Sequence, residues 1–407
     1  MTGITGWNAR IKRLSKNDYP VIAAACRTPI GSFNGSLSSL SAPELGSVVV
    51  RETVRRAGIK PESVEEVIMG CVLPAGVGQA PARQAALYAD LPNSVQCTTV
   101  NKVCGSGMKA VMLAAQAIRA GDANVIVAGG MESMSNAPYL LKKAREGYRL
   151  GHGELIDSMV TDGLWDVYND FHMGSAAELC SRECNVPREA QDEFAVSSYE
   201  KALKAQKEGL FDEEIVGVEI QQKKGESVLF DSDEEPGRVI FEKIPKLKSA
   251  FEEGGTVTAA NASKINDGAS AMMVLSAEKA EELGVEPMAK IVAYSTAAKA
   301  PEWFTTAPVQ AIETVLEKAE LTLDDIELFE LNEAFAVVGL AVSDELGIDM
   351  SKLNVNGGAV ALGHPLGASG ARITTTLLHA MKQRDAKLGL AAICLGGGEA
   401  TAMIVER

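Results

Sequence analysis

The sequence predicts an α/β fold in which two similar core domains pack together in layers and a loop domain is inserted into the chain. Short apolar strands alternate with amphipathic helices along most of the 407 residues, which is typical of α/β proteins. Parts of the first half recur in the second half. One long segment, 135–251, is polar and charged and interrupts the alternation.

The internal recurrence is the most informative of these observations. Three pairs of segments match in the same order: 57–70 with 319–332, 105–109 with 368–372, and 128–130 with 395–397. The first pair aligns without a gap, and each member is predicted to hold a helix end, a turn and a strand. The offsets of 262, 263 and 267 residues grow slowly, as a duplicated βα unit with short insertions would produce. Equivalent loops are therefore expected on one side, where a site can form between the halves.

Changes in composition set the predicted domain boundaries. The predicted parts are an N-terminal extension, 1–19; an N-terminal core domain, 20–134 and 252–280; an inserted loop domain, 135–251; and a C-terminal core domain, 281–407. Within the insertion, the pattern predicts one long helix over 189–208, closed by Gly209.

Charge and composition exclude several classes of partner. The chain has 46% hydrophobic and 23% charged residues, as an ordinary globular protein does. Its formal net charge of −15 argues against nucleic acid, because such binding depends on Lys and Arg meeting phosphates. The apolar runs are shorter than the roughly 20 residues of a membrane helix. We therefore expect neither a nucleic-acid nor a membrane partner.

The seven cysteines are an odd number spread over a long chain, which predicts reduced thiols and a cytoplasmic location. Four basic residues and one acidic residue precede position 20, so a mitochondrial leader is the less favoured alternative to a solvated tail. Cys180 and Cys184 are one helical turn apart, but two ligands do not define a metal site. No metal is predicted.

Cys104 is a candidate nucleophile. It lies between a predicted strand, 98–103, and a predicted helix, 108–120, that stops before Gly121. A thiol at a helix N-terminus is expected to have a lowered pKa, because the helix dipole stabilises the thiolate. The alternative is a small buried structural cysteine, but the glycines around Cys104 favour close approach of a substrate.

A base and an oxyanion hole are predicted from the second half. Of the four histidines, His364 lies in a glycine-rich loop and can take a proton from a cysteine, whereas His379 lies in an apolar helical run. Cys394 ends a predicted strand and precedes three glycines, whose backbone N–H groups can bind an oxyanion.

These residues belong to a set of blocks that resembles the thiolase family from about Pro20 to the C-terminus. The blocks are NKVCGSGMKA around Cys104, AGGMESMSNAPY from position 128, DGLWDVYNDFHMG from 162, TVTAANASKINDGA from 256, NEAFA from 332, NGGAVALGHPLGASGAR from 356, and CLGGGEATA from 394. Seven blocks in family order make an accidental match very improbable.

The resemblance implies a role for five catalytic residues. Cys104 would become acetylated, and Cys394 would remove a proton from the methyl group of a second acetyl-CoA. His364 would activate Cys104 and help to bind the thioester oxygen. Asn332 would hold a water molecule that completes this first oxyanion hole, and the backbone N–H groups of Cys104 and Gly396 would form the second.

The resemblance also implies how substrate is bound. The residues expected around the pantetheine arm and the acyl group are Leu164, His172, Met173, Ser263 and Phe335. Lys243 is expected near the nucleotide phosphates, together with Lys246 and Lys248; the alternative is a solvated charged face. Coenzyme A thioesters would be substrates, with no permanently bound cofactor, and the inserted domain would provide contacts to them and to other subunits of a homotetramer.

The implied activity is acetyl-CoA C-acetyltransfer, the reversible joining of two acetyl-CoA molecules through an acyl-cysteine in a ping-pong reaction. The phrase YNDFHMG, which ends at Gly174, resembles the short-chain type. Three alternatives stay open: a degradative 3-ketoacyl-CoA thiolase for longer chains, a decarboxylating ketoacyl synthase, and a non-catalytic acyl-CoA or lipid carrier. The synthase is disfavoured because that class usually has two histidines with one cysteine.

The sequence departs from the family pattern at three positions. Lys264 stands where many relatives have a small or apolar residue, Ala260 where glycine is frequent, and Glu399 in the last glycine loop. Relatives that bind a potassium ion use a tyrosine in the region 235–237, which has none here. A requirement for a monovalent ion is therefore not expected.

Overall fold

The computed structural model describes residues 19–221 and 225–407. Nearly all of the predicted N-terminal extension therefore lies outside the described residues, including the charges on which the leader alternative rests. Among the helices of the described part, none combines the length and the apolar character that a membrane span requires.

The described part of the chain contains sixteen strands. They are β1 (Pro20–Arg27), β2 (Gly31–Ser32), β3 (Glu66–Gly70), β4 (Gln96–Val100), β5 (Val125–Ser133), β6 (Tyr139–Leu141), β7 (Leu155–Asp157), β8 (Trp165–Asp166), β9 (Phe171–His172), β10 (Val218–Ile220), β11 (Val228–Phe230), β12 (Asn266–Ser276), β13 (Ala289–Ala298), β14 (Leu328–Leu331), β15 (Leu388–Leu395) and β16 (Glu399–Glu406).

The same ranges contain ten α-helices. They are α1 (Ala42–Ala57), α2 (Pro81–Tyr88), α3 (Ser106–Ala120), α4 (Met173–Glu183), α5 (Arg188–Lys207), α6 (Ala277–Leu283), α7 (Ala307–Ala319), α8 (Ala336–Leu346), α9 (Ala359–Leu362) and α10 (Leu366–Arg384).

The predicted duplication is visible in the order of the strands. The main sheet runs β14-β15-β16-β13-β1-β12-β5-β3-β4, with β2 beside β12. At one edge of the sheet β14 and β15 are parallel and β16 is antiparallel to them; at the other edge β4, β3 and β5 are parallel and β12 is antiparallel to them. The halves meet where β1 pairs antiparallel with β13. The order therefore reads as one βα unit and its inverted copy, which confirms the predicted α/β class.

The first two segment matches hold in the structure. Both α1 and α7 end in a left-handed residue, continue through a short 3₁₀ turn (Pro61–Ser63 and Leu323–Asp325), and enter β3 and β14. The second match superposes Ser106, the first residue of α3, on Ser369, the fourth residue of α10.

The third match is wrong by four residues. Glu66 of β3 pairs with Ile126 of β5, and Leu328 of β14 pairs with Gly389 of β15. Because the first match superposes Glu66 on Leu328, Ile126 corresponds to Gly389, an offset of 263 residues rather than 267. The glycine pairs of the third match are not equivalent, since the first lies inside β5 and the second follows the end of β15.

The core is layered because side chains alternate across the strands. On β5, Ile126 faces inward with α3 and α10, whereas Val127 faces outward with α1 and α2. On β15, Ile393 faces the same inner layer and Leu390 faces α7 and α8. The molecule therefore has five layers. The outer helices α1 and α2 cover the half of the sheet that contains β5, the pair α3 and α10 lies in the middle, and the half that contains β15 is covered by α7 and α8.

The two central helices cross in direct contact. A Cβ atom on Gly107 of α3 would lie 2.9 Å from the backbone nitrogen of Ala371, and one on Gly370 of α10 would lie 2.6 Å from that of Met108. Both distances are shorter than a normal contact. Only glycine at these two positions allows α3 and α10 to approach so closely.

The insertion contains β6–β11, α4 and α5. The long helix predicted over 189–208 is present as α5, and Gly209 follows it with φ of +70°. A buried ionic group ties the insertion to the core. The Arg27 guanidinium of β1 donates to Asp233 at 2.7 and 2.9 Å and to Glu214 at 2.5 Å, with all three side chains almost completely buried.

We expect Arg27→Met to destabilise the protein by about 3–5 kcal/mol, because it leaves two carboxylates buried without their cation. Urea unfolding followed by circular dichroism measures the change. The matched control is Arg55→Met, which removes an arginine whose side chain is 71% exposed and should change stability by less than about 1 kcal/mol. Equal effects of the two substitutions would contradict this account.

Candidate active site

Cys104 lies in the turn between β4 and α3, as the sequence predicted, although β4 ends earlier than expected. The Ser106 hydroxyl holds this turn: it accepts the N–H of Lys102 at 2.8 Å and donates to the carbonyl of Val103 at 2.6 Å. Val103 has φ of +44°, which a β-branched residue rarely adopts. The backbone before the predicted nucleophile is therefore held in an unfavourable conformation by its surroundings.

Both cysteines predicted to take part in the chemistry line a single cavity of about 300 Å³, together with His364. Cys394 is next to last in β15. The turn that carries Cys104 packs directly on the end of β15, where a Cβ atom on Gly105 would overlap the Leu395 side chain. The structure therefore brings His364 and Cys394, which follow Cys104 by 260 and 290 positions, into one site with it.

Burial controls the protonation of both thiols. It raises the pKa of Cys104 to about 12, and the backbone N–H groups of Gly396 and Cys104 lower that pKa only in part. Burial, and next the neighbouring Cys104, raises the pKa of Cys394 well above its ordinary value. The pKa of Cys104 is thus raised, contrary to the lowering expected at a helix N-terminus, because burial disfavours the charged thiolate.

His364 is neutral and has a defined tautomer. Its Nδ1 lies 2.6 Å from the Ser369 hydroxyl, which itself donates to the Pro365 carbonyl at 2.8 Å. Ser369 has one hydrogen to donate, so Nδ1 carries the proton of the imidazole. Nε2 has no partner among the described residues. Burial, then Arg372, lowers the pKa of His364 to about 3, so Nε2 presents a free lone pair.

Asn332 lies directly after β14 and does not line the cavity, but its side-chain amide is fully buried. Neither its oxygen nor its nitrogen has a hydrogen-bond partner in the described chain. Since buried amides are almost always bonded, this side chain fits the predicted role of holding a water molecule. Gly396, predicted for the second oxyanion hole, lines the cavity, and its N–H acts on the Cys104 thiol.

All five residues predicted around the pantetheine arm line the cavity: Leu164, His172, Met173, Ser263 and Phe335. The His172 ring stacks on Phe251 with centroids 4.8 Å apart, and its Nδ1 accepts the N–H of Gly174 at 3.0 Å. Phe251 and Phe304 both meet Phe335 edge to face. The sequence argument missed Phe251, although it is an aromatic residue at the end of an otherwise polar insertion.

The structure does not bring Lys243 into this cavity. It borders a neighbouring cavity of about 210 Å³ that also contacts Lys264. Glu399 forms an ion pair with Lys102, beside the Cys104 turn. Within the described ranges, no three His, Cys, Asp or Glu side chains group as a metal site would require.

Glu132 is a buried carboxylate that the sequence argument quoted only as part of a block. It accepts the backbone N–H groups of Val72 at 3.0 Å, Leu73 at 3.1 Å and Gly367 at 2.8 Å. Burial raises its pKa to about 7. The loop after β3 and the start of α10, which follows His364, are thereby fixed to each other.

Comparisons with known proteins identify the family of the chain. The family model "Thiolase, N-terminal domain" matches residues 20–278, and "Thiolase, C-terminal domain" matches residues 285–407.

The chain belongs to the thiolase family.

This thiolase is similar to its relatives over nearly their whole length. The acetyl-CoA acetyltransferase of Cupriavidus necator is 57% identical over 95% of this chain and 99% of the relative, and acetyl-CoA acetyltransferase 2 of Arabidopsis thaliana is 54% identical over 95% and 96%. The crystal structure of Acat5 thiolase from Ascaris suum in complex with coenzyme A has a TM-score of 0.91 at 46% identity, covering 96% of this chain and 100% of that one. The Bacillus anthracis acetyl-CoA acetyltransferase has a TM-score of 0.93 at 44% identity, over 95% and 98%.

In the ligand-free thiolase, we expect iodoacetamide to modify Cys104 slowly at neutral pH, with a rate that is still rising at about pH 10, because burial raises the pKa of this thiol to about 12 and the thiolate is the reactive form. Peptide-resolved mass spectrometry across a pH series measures this rate, with the half-buried Cys97 as an internal control. A rate that is already constant below about pH 7 would indicate a preformed thiolate–imidazolium pair instead.

Proposed function

We propose that this thiolase is an acetyl-CoA acetyltransferase, which condenses two acetyl-CoA molecules to acetoacetyl-CoA and free CoA and also catalyses the reverse reaction. The observation that supports it most is the meeting of Cys104, Cys394 and a neutral His364 in one largely apolar cavity. The names of the Cupriavidus and Arabidopsis relatives support the same activity.

In the first half of the proposed reaction, Nε2 of His364 takes the proton of Cys104, and the sulfur attacks the acetyl carbonyl of acetyl-CoA. The tetrahedral intermediate collapses, the bond to the CoA sulfur breaks, and Cys394 gives its proton to the leaving CoA thiolate. Acetyl-Cys104, an imidazolium and a Cys394 thiolate remain. The separated charges therefore persist in the acetyl-enzyme until the second half of the reaction.

In the second half, the Cys394 thiolate removes an α-proton from a second acetyl-CoA. The enolate oxygen receives a hydrogen bond from Nε2–H of His364 and from the water molecule on Asn332. The carbonyl oxygen of acetyl-Cys104 is held by the N–H groups of Cys104 and Gly396. The enolate attacks that carbonyl, Cys104 leaves and regains its proton from His364, and the enzyme returns to its starting state.

The raised pKa of Cys394 suits this role. A thioester α-proton is weakly acidic, so its removal needs a strong base, and a thiolate becomes a stronger base as its pKa rises. Oriented N–H donors stabilise the charge as it moves to oxygen.

We also propose that the acyl group is short. Aromatic rings line part of the cavity, with Phe251 stacked on His172 and in edge contact with Phe335, and we infer that they limit the length of the acyl group. The coenzyme A in the Ascaris suum structure supports binding of CoA thioesters here.

The remaining proposals concern assembly and location. The outer strand β4 has an exposed edge with largely exposed side chains, and an unpaired edge can bind a second copy. We propose a homotetramer in the cytoplasm, with Lys243 near the nucleotide phosphates and no permanently bound cofactor.

A comparison of two cysteine variants tests the mechanism. Cys104→Ser should abolish acetylation of the peptide that contains position 104 after brief exposure to acetyl-CoA. Cys394→Ala should still be acetylated on Cys104, but its condensation rate should fall by about 10²–10⁴-fold, because the carbon base is missing. Mass spectrometry measures the first property and acetoacetyl-CoA formation the second. Cys97→Ser is the control and should behave as the wild type; full activity of Cys104→Ser would refute the nucleophile.

A comparison of chain lengths tests the acyl group. The thiolytic kcat/KM for acetoacetyl-CoA should exceed that for a 3-ketoacyl-CoA of sixteen carbons by about 100-fold or more, because rigid aromatic walls exclude the long chain. Phe251→Ala should reduce this ratio by opening the wall. Equal rates on both substrates would favour the degradative alternative.

A further inference from the structure

Lys264 is a mostly buried lysine whose ammonium, within the described residues, has backbone carbonyls as its hydrogen-bond acceptors. Its Nζ donates to the carbonyl of Ala262 at 2.7 Å and to that of Val360 at 3.2 Å, and lies 5.5 Å from the centre of the Tyr199 ring. The residue lines both the active-site cavity and the neighbouring cavity that Lys243 borders. The ammonium therefore lies in the wall between them.

The Val360 carbonyl is the acceptor that a longer α9 would use for His364. In an α-helix the N–H of residue i bonds to the carbonyl of residue i−4, so continuation of α9 would join His364 N–H to Val360. Here the His364 N–H donates instead to the Asn266 side chain at 2.9 Å. Lys264 donates to the Val360 carbonyl, and Asn266 accepts the His364 N–H. The short segment 264–266 therefore prevents α9 from continuing to His364.

The short helix α9 needs such support. It has four residues, too few to be stable alone. The N–H of Val360 donates to Glu333 at 3.0 Å, and Glu333 also accepts from Ser198 and Asn354 at 2.7 Å. The N–H of Val360 is thus bonded to Glu333, which follows Asn332, and its carbonyl is bonded to Lys264, which follows Ser263.

We propose that Lys264 is a positioning residue whose ammonium fixes the turn after α9 and thereby aims the His364 imidazole at Cys104. This inference rests on the proposed function. It gives a role to a lysine whose side chain lies between the two cavities. The ammonium donates to two carbonyl groups, and it couples the Ser263 segment to the loop that carries His364.

The surroundings agree with a charged amine at neutral pH. Burial lowers the pKa of Lys264 to about 8, while Glu235 and Glu333 act in the opposite direction. Tyr199 also faces the amine, and Arg238 and Lys243 lie on the neighbouring cavity. Because deprotonation removes the charge as the pH rises, activity should decline above about pH 8 in the wild type.

The test compares Lys264→Ala with Lys318→Ala. Lys318 also reaches one backbone carbonyl, that of Tyr294 at 3.4 Å, but it lies exposed on α7. We expect Lys264→Ala to lower kcat and the rate of Cys104 acetylation by about 100-fold, as a misplaced catalytic group does, with KM changed by less than kcat. Lys318→Ala should keep wild-type kinetics.

Chemical rescue separates positioning from a general structural role. Methylammonium chloride should raise the kcat of Lys264→Ala at least about tenfold, because the small cation can occupy the site of the missing ammonium. The rescued enzyme should keep its activity above pH 8. Sodium chloride at equal ionic strength should not. Loss of kcat without methylammonium rescue, or a kcat within twofold of the wild type, would overturn the proposal.

A second variant covers the case in which Lys264→Ala does not fold. Lys264→Met keeps the length and the apolar stem, so it should remain folded, with kcat reduced by about 100-fold and without the decline above pH 8. Wild-type kcat in this variant would overturn the proposal. If the wild type itself does not form acetoacetyl-CoA, the proposed function fails, which is a different result from an active wild type with active Lys264 variants.

Discussion

The contact between α3 and α10 is the constraint on which the site depends. Both helices begin at the cavity: Cys104 precedes α3, and His364 precedes α10. Their crossing at Gly107 and Gly370 leaves no room for a Cβ atom on either helix. The distance between the nucleophile and the imidazole is therefore set by backbone contact in the middle layer, which close packing keeps rigid, and only secondarily by the loops that carry them.

Burial of the cavity side chains then decides the protonation states. Burial raises the pKa of Cys104 to about 12 and lowers that of His364 to about 3, so the resting pair is neutral. Proton transfer between them becomes favourable only when charge can move onward to a substrate oxygen that faces fixed N–H donors. Such donors are oriented before the reaction and do not reorganise during it. Burial thus suppresses the Cys104 thiolate in the resting enzyme, and the thiolate forms when a thioester is bound.

Sequence reasoning succeeded where the signal is local and failed where tertiary structure decides. The helix end, 3₁₀ turn and strand of 57–70 recur at 319–332 because each is encoded within a few residues. The glycine match at 395–397 failed because strand register is set by the neighbouring strand. The pKa of Cys104 was misjudged because burial depends on distant segments. Phe251 and Glu132 were missed for the same reason: neither shares a local pattern with the residues it contacts.

The loops of the site are held mainly by charged side chains that bond to backbone. Glu132 holds three N–H groups, Glu333 holds that of Val360, and Lys264 holds two carbonyls. An ion pair fixes only a distance between two flexible side chains, whereas several backbone bonds to one charge fix the path of a loop. Burying such charges costs free energy, which these bonds offset only when every loop is in place. The segments of the site are consequently expected to become ordered together. The positions of the site residues depend on contacts between distant parts of the sequence, so they cannot be predicted from any one sequence block.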